Sequence, residues 1–178
     1  MLDVQDKLYT HCGFFVEFLL GQEEYAVHNS RIGTRRILHR TITGHTNYKQ
    51  HTYLEMAVGI GGPRERSLTM EELRRLDFVC AIHFDPSLPE RPVVGIFIFP
   101  KSVAENYLRS RENEKELVNA VSAGGGSAAT VELKPLSWPR HSHAKLRQQE
   151  QTRYYIDLRS SSHRDANVAR AKQILACY

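Results

Sequence analysis

The sequence predicts an α+β or mixed α/β fold: a single central mixed sheet covered by N- and C-terminal helices. Three observations carry this expectation. Val93–Phe99 (VVGIFIF) is apolar at nearly every position, so both faces of that strand need cover and it belongs inside a sheet. Strand-like and helix-like stretches are mixed along the chain, which suits one sheet with helices on it. Both ends of the chain carry helical apolar spacing. At 178 residues the chain reads as one domain, 1–178, long enough to bury a core.

Taken in order, Val4, Leu8, Cys12, Phe15 and Leu19 recur every three or four residues and predict a first helix ending near Gly21. Residues 35–42 have strand character and stop at the turn candidate Thr43-Gly44-His45. From 51 to 60, Leu54, Met56, Val58 and Ile60 alternate against Tyr53, Glu55, Ala57 and Gly59. These two strands are expected to pair antiparallel, half-exposed, with basic side chains on the open face. Gly59–Pro63 ends the second; with no GK[ST] after it, it is no phosphate loop.

Thr69-Met-Glu-Glu72 has capping-box spacing for a short helix through Leu76. The core strands Asp77–Phe84 and Val93–Phe99 follow, separated by the three prolines of residues 85–92. Ser102 and Glu105 predict a helix over Val103–Arg109, and residues 111–121 a second helical piece. Residues 122–129 (SAGGGSAA) read as a flexible loop. Thr130–Leu136 is a further strand, a polar helix runs from about Ser142 to Thr152, and Tyr154–Leu158 is a last strand. Ser162 and Asp165 cap a final helix with Val168, Ala171, Leu175 and Tyr178 on one side.

Charge is unevenly spread. Residues 1–30 hold one lysine against five acids, whereas residues 31–51 hold Arg31, Arg35, Arg36, Arg40 and Lys49 with no acid. A second basic block from 140 to 164 includes Lys145 and Arg147. Two such blocks point to a polyanion partner. Arg31, Arg35, Arg36, His39, Arg40 and Lys49 would contact phosphates, with Tyr48 and Tyr53 near enough to stack on a base.

No apolar run approaches the roughly 20 residues of a membrane span. The first six residues hold two acids and no basic region, so no signal peptide is expected. Three scattered cysteines (Cys12, Cys80, Cys177) suit a reducing, cytoplasmic setting. No zinc-type His/Cys spacing occurs; His141-Ser-His143 reads as surface and His83 as a hydrogen-bonded core residue.

Leu76-Asp77-Phe78, Gly95-Ile-Phe-Ile-Phe-Pro-Lys-Ser102, Trp138, Ala144, Gln149, Gln151 and Tyr154-Tyr155 form a pattern that resembles the MepB family of small bacterial proteins. Glu24-Tyr25 and the basic strand from Arg35 sit where that family has a glutamate-tyrosine and a basic strand. The resemblance spans about residues 24–158 and implies a fold more than an activity.

The order of elements also resembles restriction-endonuclease-like nucleases. That likeness implies two carboxylates holding Mg²⁺ and a lysine stabilising the developing phosphorane charge. The acid-x-Lys of the chain is Glu132-Leu133-Lys134, with Asp77 or Asp85 as partner acid. Composition alone gives about 0.8 such matches, so the motif by itself has little weight. The expectation is therefore a nucleic-acid-binding domain with a nuclease-like fold, its catalysis degenerate or absent and no cofactor required. The alternatives are a protein-interaction or regulatory module meeting an acidic protein, and a Mg²⁺-dependent nuclease using Asp77, Glu132 and Lys134. Metal ligands and oligomeric state stay open at this stage.

Overall fold

The computed structural model describes residues 4–19, 27–44, 52–58, 66–85, 90–109, 130–133, 150–159 and 161–176. Its centre is a six-stranded mixed sheet, as the apolar strands require. In chain order these strands are β1 (Val16–Phe18), β2 (Ser30–Ile32), β3 (Arg35–Thr41), β8 (Phe78–Phe84), β9 (Val93–Pro100) and β11 (Tyr155–Asp157). They also lie side by side in that order. The β3–β8 pair is parallel, with Ile37 opposite Phe78, and every other neighbouring pair is antiparallel.

A smaller sheet joins β4 (Thr43–Gly44), β5 (Thr52–Glu55) and β10 (Thr130–Leu133), and a ribbon joins β6 (Ala57–Val58) to β7 (Arg66–Ser67). The helices are α1 (Met70–Arg74), α2 (101–109) and α3 (Arg164–Ala176). A π-helical turn, Gln5–Tyr9, precedes β1.

Side-chain alternation sends the core strands to two separate apolar layers. One contains Phe78, Cys80, Ile82, Ile96, Ile98 and Ile156 against Leu8 of the N-terminal turn and Leu175 of α3. The other contains Val79, Ala81, Phe97 and Phe99 against Leu73, Ala104, Leu54 and Met56. Each fully buried phenylalanine contributes on the order of 1.5–3 kcal/mol. The two terminal helical segments therefore cover one face together, and α1, α2 and the smaller strands cover the other.

Several expectations need correcting. The first helix does not reach Gly21: it gives way at Gly13, whose φ of +73° is left-handed, and Val16–Phe18 is strand. The basic strand does not pair with residues 51–60. β3 instead lies inside the main sheet between β2 and β8, where its apolar Ile37 and Leu38 require cover on both faces. The 51–60 run is split, β5 and β6 lying in different sheets, although Leu54 and Met56 are buried as their alternation predicts.

The capping box on α1 is present, Thr69 accepting from the Glu72 amide and the Glu72 carboxylate from the Thr69 amide. α2 starts at 101, so Ser102 is already inside it. The final helix opens with a 3₁₀ turn, Ser161–His163, so Ser162 precedes the α-helix by a turn. The pieces expected at 111–121, 122–129 and 142–149 lie outside the described residues.

Candidate nucleic-acid interface

The β2–β3 hairpin is closed by Gly33-Thr34. Gly33 has φ +60°, the value the first central residue of a type II′ turn demands. The register sets Arg31 opposite Arg36 and Ile32 opposite Arg35, concentrating three arginines in one short ribbon. Like charges directly opposite on neighbouring strands repel, so the Arg31–Arg36 pairing itself is unfavourable.

Arg36 is partly neutralised: its Nε lies 4.0 Å from Asp77, and its amide donates to that carboxylate at 2.7 Å. Arg35 lays its guanidinium over the Phe78 ring at 5.8 Å, and Arg31 donates to His28 at 3.3 Å. Neither Arg31 nor Arg35 forms an ion pair among the described residues, although Glu17 stands opposite Arg31 in the register.

Beside the hairpin lies a groove of ≈ 780 Å³. Arg31, Arg35 and Phe15 line it, with Ile32 and Leu175 among its apolar walls and Glu17 also present. Phe15 is 80% exposed, the one large hydrophobic residue so exposed among the described residues. The three-to-four-residue apolar spacing predicts Phe15 on the buried side of a first helix. Because that helix stops at Gly13, the residue falls on an extended stretch between half-buried Phe14 and buried Val16, and points outward. Only the helix stop, signalled by Gly13, separates these two outcomes in the sequence.

The other expected contact residues fare differently. His39 is corrected outright: it is 3% exposed, so it reaches no phosphate. Being on the odd side of β3, it lies under the N-terminal turn, where Tyr9 Oη is 2.8 Å from its Nε2 and Ser30 Oγ 2.6 Å from its Nδ1. Arg40 is half-buried on the opposite side of the same strand, which lies within the main sheet rather than in a half-exposed pair with residues 51–60. Tyr53 is in β5, opposite Glu132 of β10; Lys49, Tyr48, Lys145 and Arg147 lie outside the described residues.

For the nuclease constellation, Asp77 and Arg36 clamp the start of the parallel seam. The Asp77 amide donates to the Arg36 carbonyl at 2.8 Å while its carboxylate receives the Arg36 amide. Glu132 sits in the smaller sheet and Asp77 at the mouth of the main one, and Lys134 lies outside the described residues. Among the described residues no group of three His, Cys, Asp or Glu could hold a metal ion.

Two polar arrangements are buried, one on each face of the main sheet. Burial pushes His39 down to about 3 and the Cys80 thiol up to about 12, and it raises the Tyr9 phenol well above its ordinary value. The neutral imidazole is satisfied on both nitrogens, because Tyr9 and Ser30 each can donate or accept.

On the other face, His83, Gly95 and Asp157 stand in one row across β8, β9 and β11. Tyr155 leans over Gly95, and its hydroxyl is 3.1 Å from His83 Nδ1. Burial lowers His83 to about 4, helped by the Arg159 charge, and raises Tyr155. Arg159 hydrogen-bonds Asp157 and holds that carboxyl below its usual range. The expectation that His83 is a hydrogen-bonded core residue agrees with this geometry.

No family model matches the sequence, and no curated protein matches it. Among solved structures the chain is similar to the crystal structure of MepB, at 14% identity and a TM-score of 0.49 over 82% of this chain and 89% of that one. A likeness of this depth does not show membership of the MepB family and carries nothing about function.

Proposed function

We propose that this chain is a nucleic-acid-binding domain that holds the sugar-phosphate backbone on Arg31 and Arg35. One observation carries the reading: Arg31 and Arg35, neither in an ion pair among the described residues, both line the same groove beside the hairpin. Phosphate oxygens are the complementary acceptors for a guanidinium fork. The sequence supports the same direction, since residues 31–51 carry five cations and no acid. The domain needs no cofactor for this task.

Fluorescence anisotropy with a labelled oligonucleotide tests the reading. Wild-type affinity falls between about 50 and 200 mM salt, and the double substitution R31Q/R35Q lowers the slope of log affinity against log salt by about 1.5 to 2. Glutamine at 35 keeps an aliphatic stem near Phe78, so the fold stays comparable. Absence of binding at low salt, or binding untouched by the double substitution, rejects the proposal. Displacement by polyglutamate as effectively as by nucleic acid would favour an acidic protein partner instead.

A further inference from the structure

We infer that the groove accepts an unpaired nucleotide, with its base stacked on Phe15 and its phosphates on Arg31 and Arg35; this rests on the nucleic-acid reading above. Phe15 is the starting point. Its neighbours Phe14 and Val16 both pack towards the core, yet its own ring is 80% in water. Burial in the fold therefore does not account for an aromatic at this position.

The surroundings restrict what covers it. An apolar partner alone would leave Arg31 and Arg35 desolvated without an acceptor, which is costly. A bare polyanion would satisfy the arginines and leave the ring and the apolar walls at Ile32 and Leu175 wet. A nucleotide carries both parts, a flat apolar face and an anion joined by a short sugar. The groove volume of ≈ 780 Å³ is in the range of small-ligand sites.

The strand must be unpaired. In a duplex each base face is covered by the next base pair, so a ring such as Phe15 finds no face without unstacking the helix. In a single strand the faces are free, and an aromatic platform beside a basic rim is how such strands are held without sequence preference. Glu17 is the cross-strand neighbour of Arg31 and repels phosphate, which directs the backbone towards Arg35.

The experiment compares oligothymidylate with a duplex of equal length, using the full chain and F15A, F15L and F15W proteins. Because Phe15 is exposed, all three are expected to fold, as circular dichroism would confirm. The single strand binds at least about tenfold more tightly than the duplex to the wild type. F15A and F15L lose about tenfold on the single strand and nothing on the duplex, whereas F15W retains binding. The chain has one tryptophan, Trp138, so emission quenching beyond that of the wild type reports position 15.

Equal affinity of wild type and F15A for the single strand, or equal binding of duplex and single strand, overturns the stacking inference. If R31Q/R35Q still weakens binding, the broader nucleic-acid reading survives that result. If the wild type binds no oligonucleotide at low salt, both fall together.

Discussion

Gly95 shows how one missing methyl group can organise a buried pair. A Cβ at that position would overlap the Tyr155 hydroxyl oxygen and ring carbons. The glycine leaves space for Tyr155 to cross β9 and reach His83. Gly95→Ala is expected to expel the phenol, leave His83 Nδ1 without its partner and destabilise the protein by about 2–4 kcal/mol. Urea unfolding measures this; Gly95→Ala in a Tyr155→Phe background should cost less, because the bond to His83 is already absent. It should not cost nothing, because the ring carbons still overlap the added methyl. Gly95 in a family-like pattern was legible, but its reason was not, since a glycine in a strand says nothing of which side chain lies over it. Phe15 teaches the complementary lesson: its burial was misread because one turn of helix decides whether it faces the core or the solvent.

Elements were legible in proportion to how much of their pattern was local. β8 and β9 announce themselves because continuous apolar runs leave no other solution. α1 is signalled by a four-residue cap whose two hydrogen bonds are both made within the element. Thr69→Ala should therefore cost about 1 kcal/mol, seen as a lower urea midpoint at unchanged slope. By contrast β1 and β2, three residues each, offer too little periodicity to be found. The partner of β3 was mistaken because a turn-like Thr43-Gly44 suggested a simple hairpin. Thr43-Gly44 is no turn but the two-residue strand β4, which pairs antiparallel with β5, while β3 itself pairs in parallel with β8. Parallel pairing leaves no local trace at a turn. Gly33 is the element-scale test of the groove: Gly33→Val forces a branched residue into φ +60°, distorting the hairpin. It should weaken oligonucleotide binding while far-UV circular dichroism is retained.

At the scale of the whole molecule, the two buried histidines make stability depend on pH in a defined direction. Both fold with pKa values below the ordinary 6.5, His39 at about 3 and His83 at about 4. The unfolded chain thus takes up protons first as pH drops. The stability conferred by the neutral rings is complete above about pH 6.5 and is lost as pH falls towards 4 and then 3, each pKa unit being worth about 1.4 kcal/mol at most. Denaturant titrations from pH 7.5 to 4 should show a falling midpoint, and His83→Gln should flatten part of that fall. Asp157, held low by Arg159, contributes in the same sense but only nearer its ordinary value of 3.8. A flat profile in the wild type would contradict the burial of both rings. The sequence disclosed a sheet covered on both faces through the continuous apolar run of Val93–Phe99. It did not disclose that both chain ends cover the same face, because that depends on which side each connection crosses.

That shared face has a consequence for how the protein comes into being. The thiol of Cys12 donates to the carbonyl of Val168 at 3.9 Å, across 156 residues of sequence, and Gly13, Leu175 and Ala176 all line the groove. Such distant contacts close late and slowly, since the loop between them must be ordered first. During synthesis the core strands can assemble while the last helix is still in the ribosome, but the groove cannot. A nascent chain halted before residue 164 would present Leu8, Ile98 and Ile156 without the cover of α3. Such a chain would be a substrate for chaperones and proteases, and it would lack one wall of the surface on which ligand binding depends.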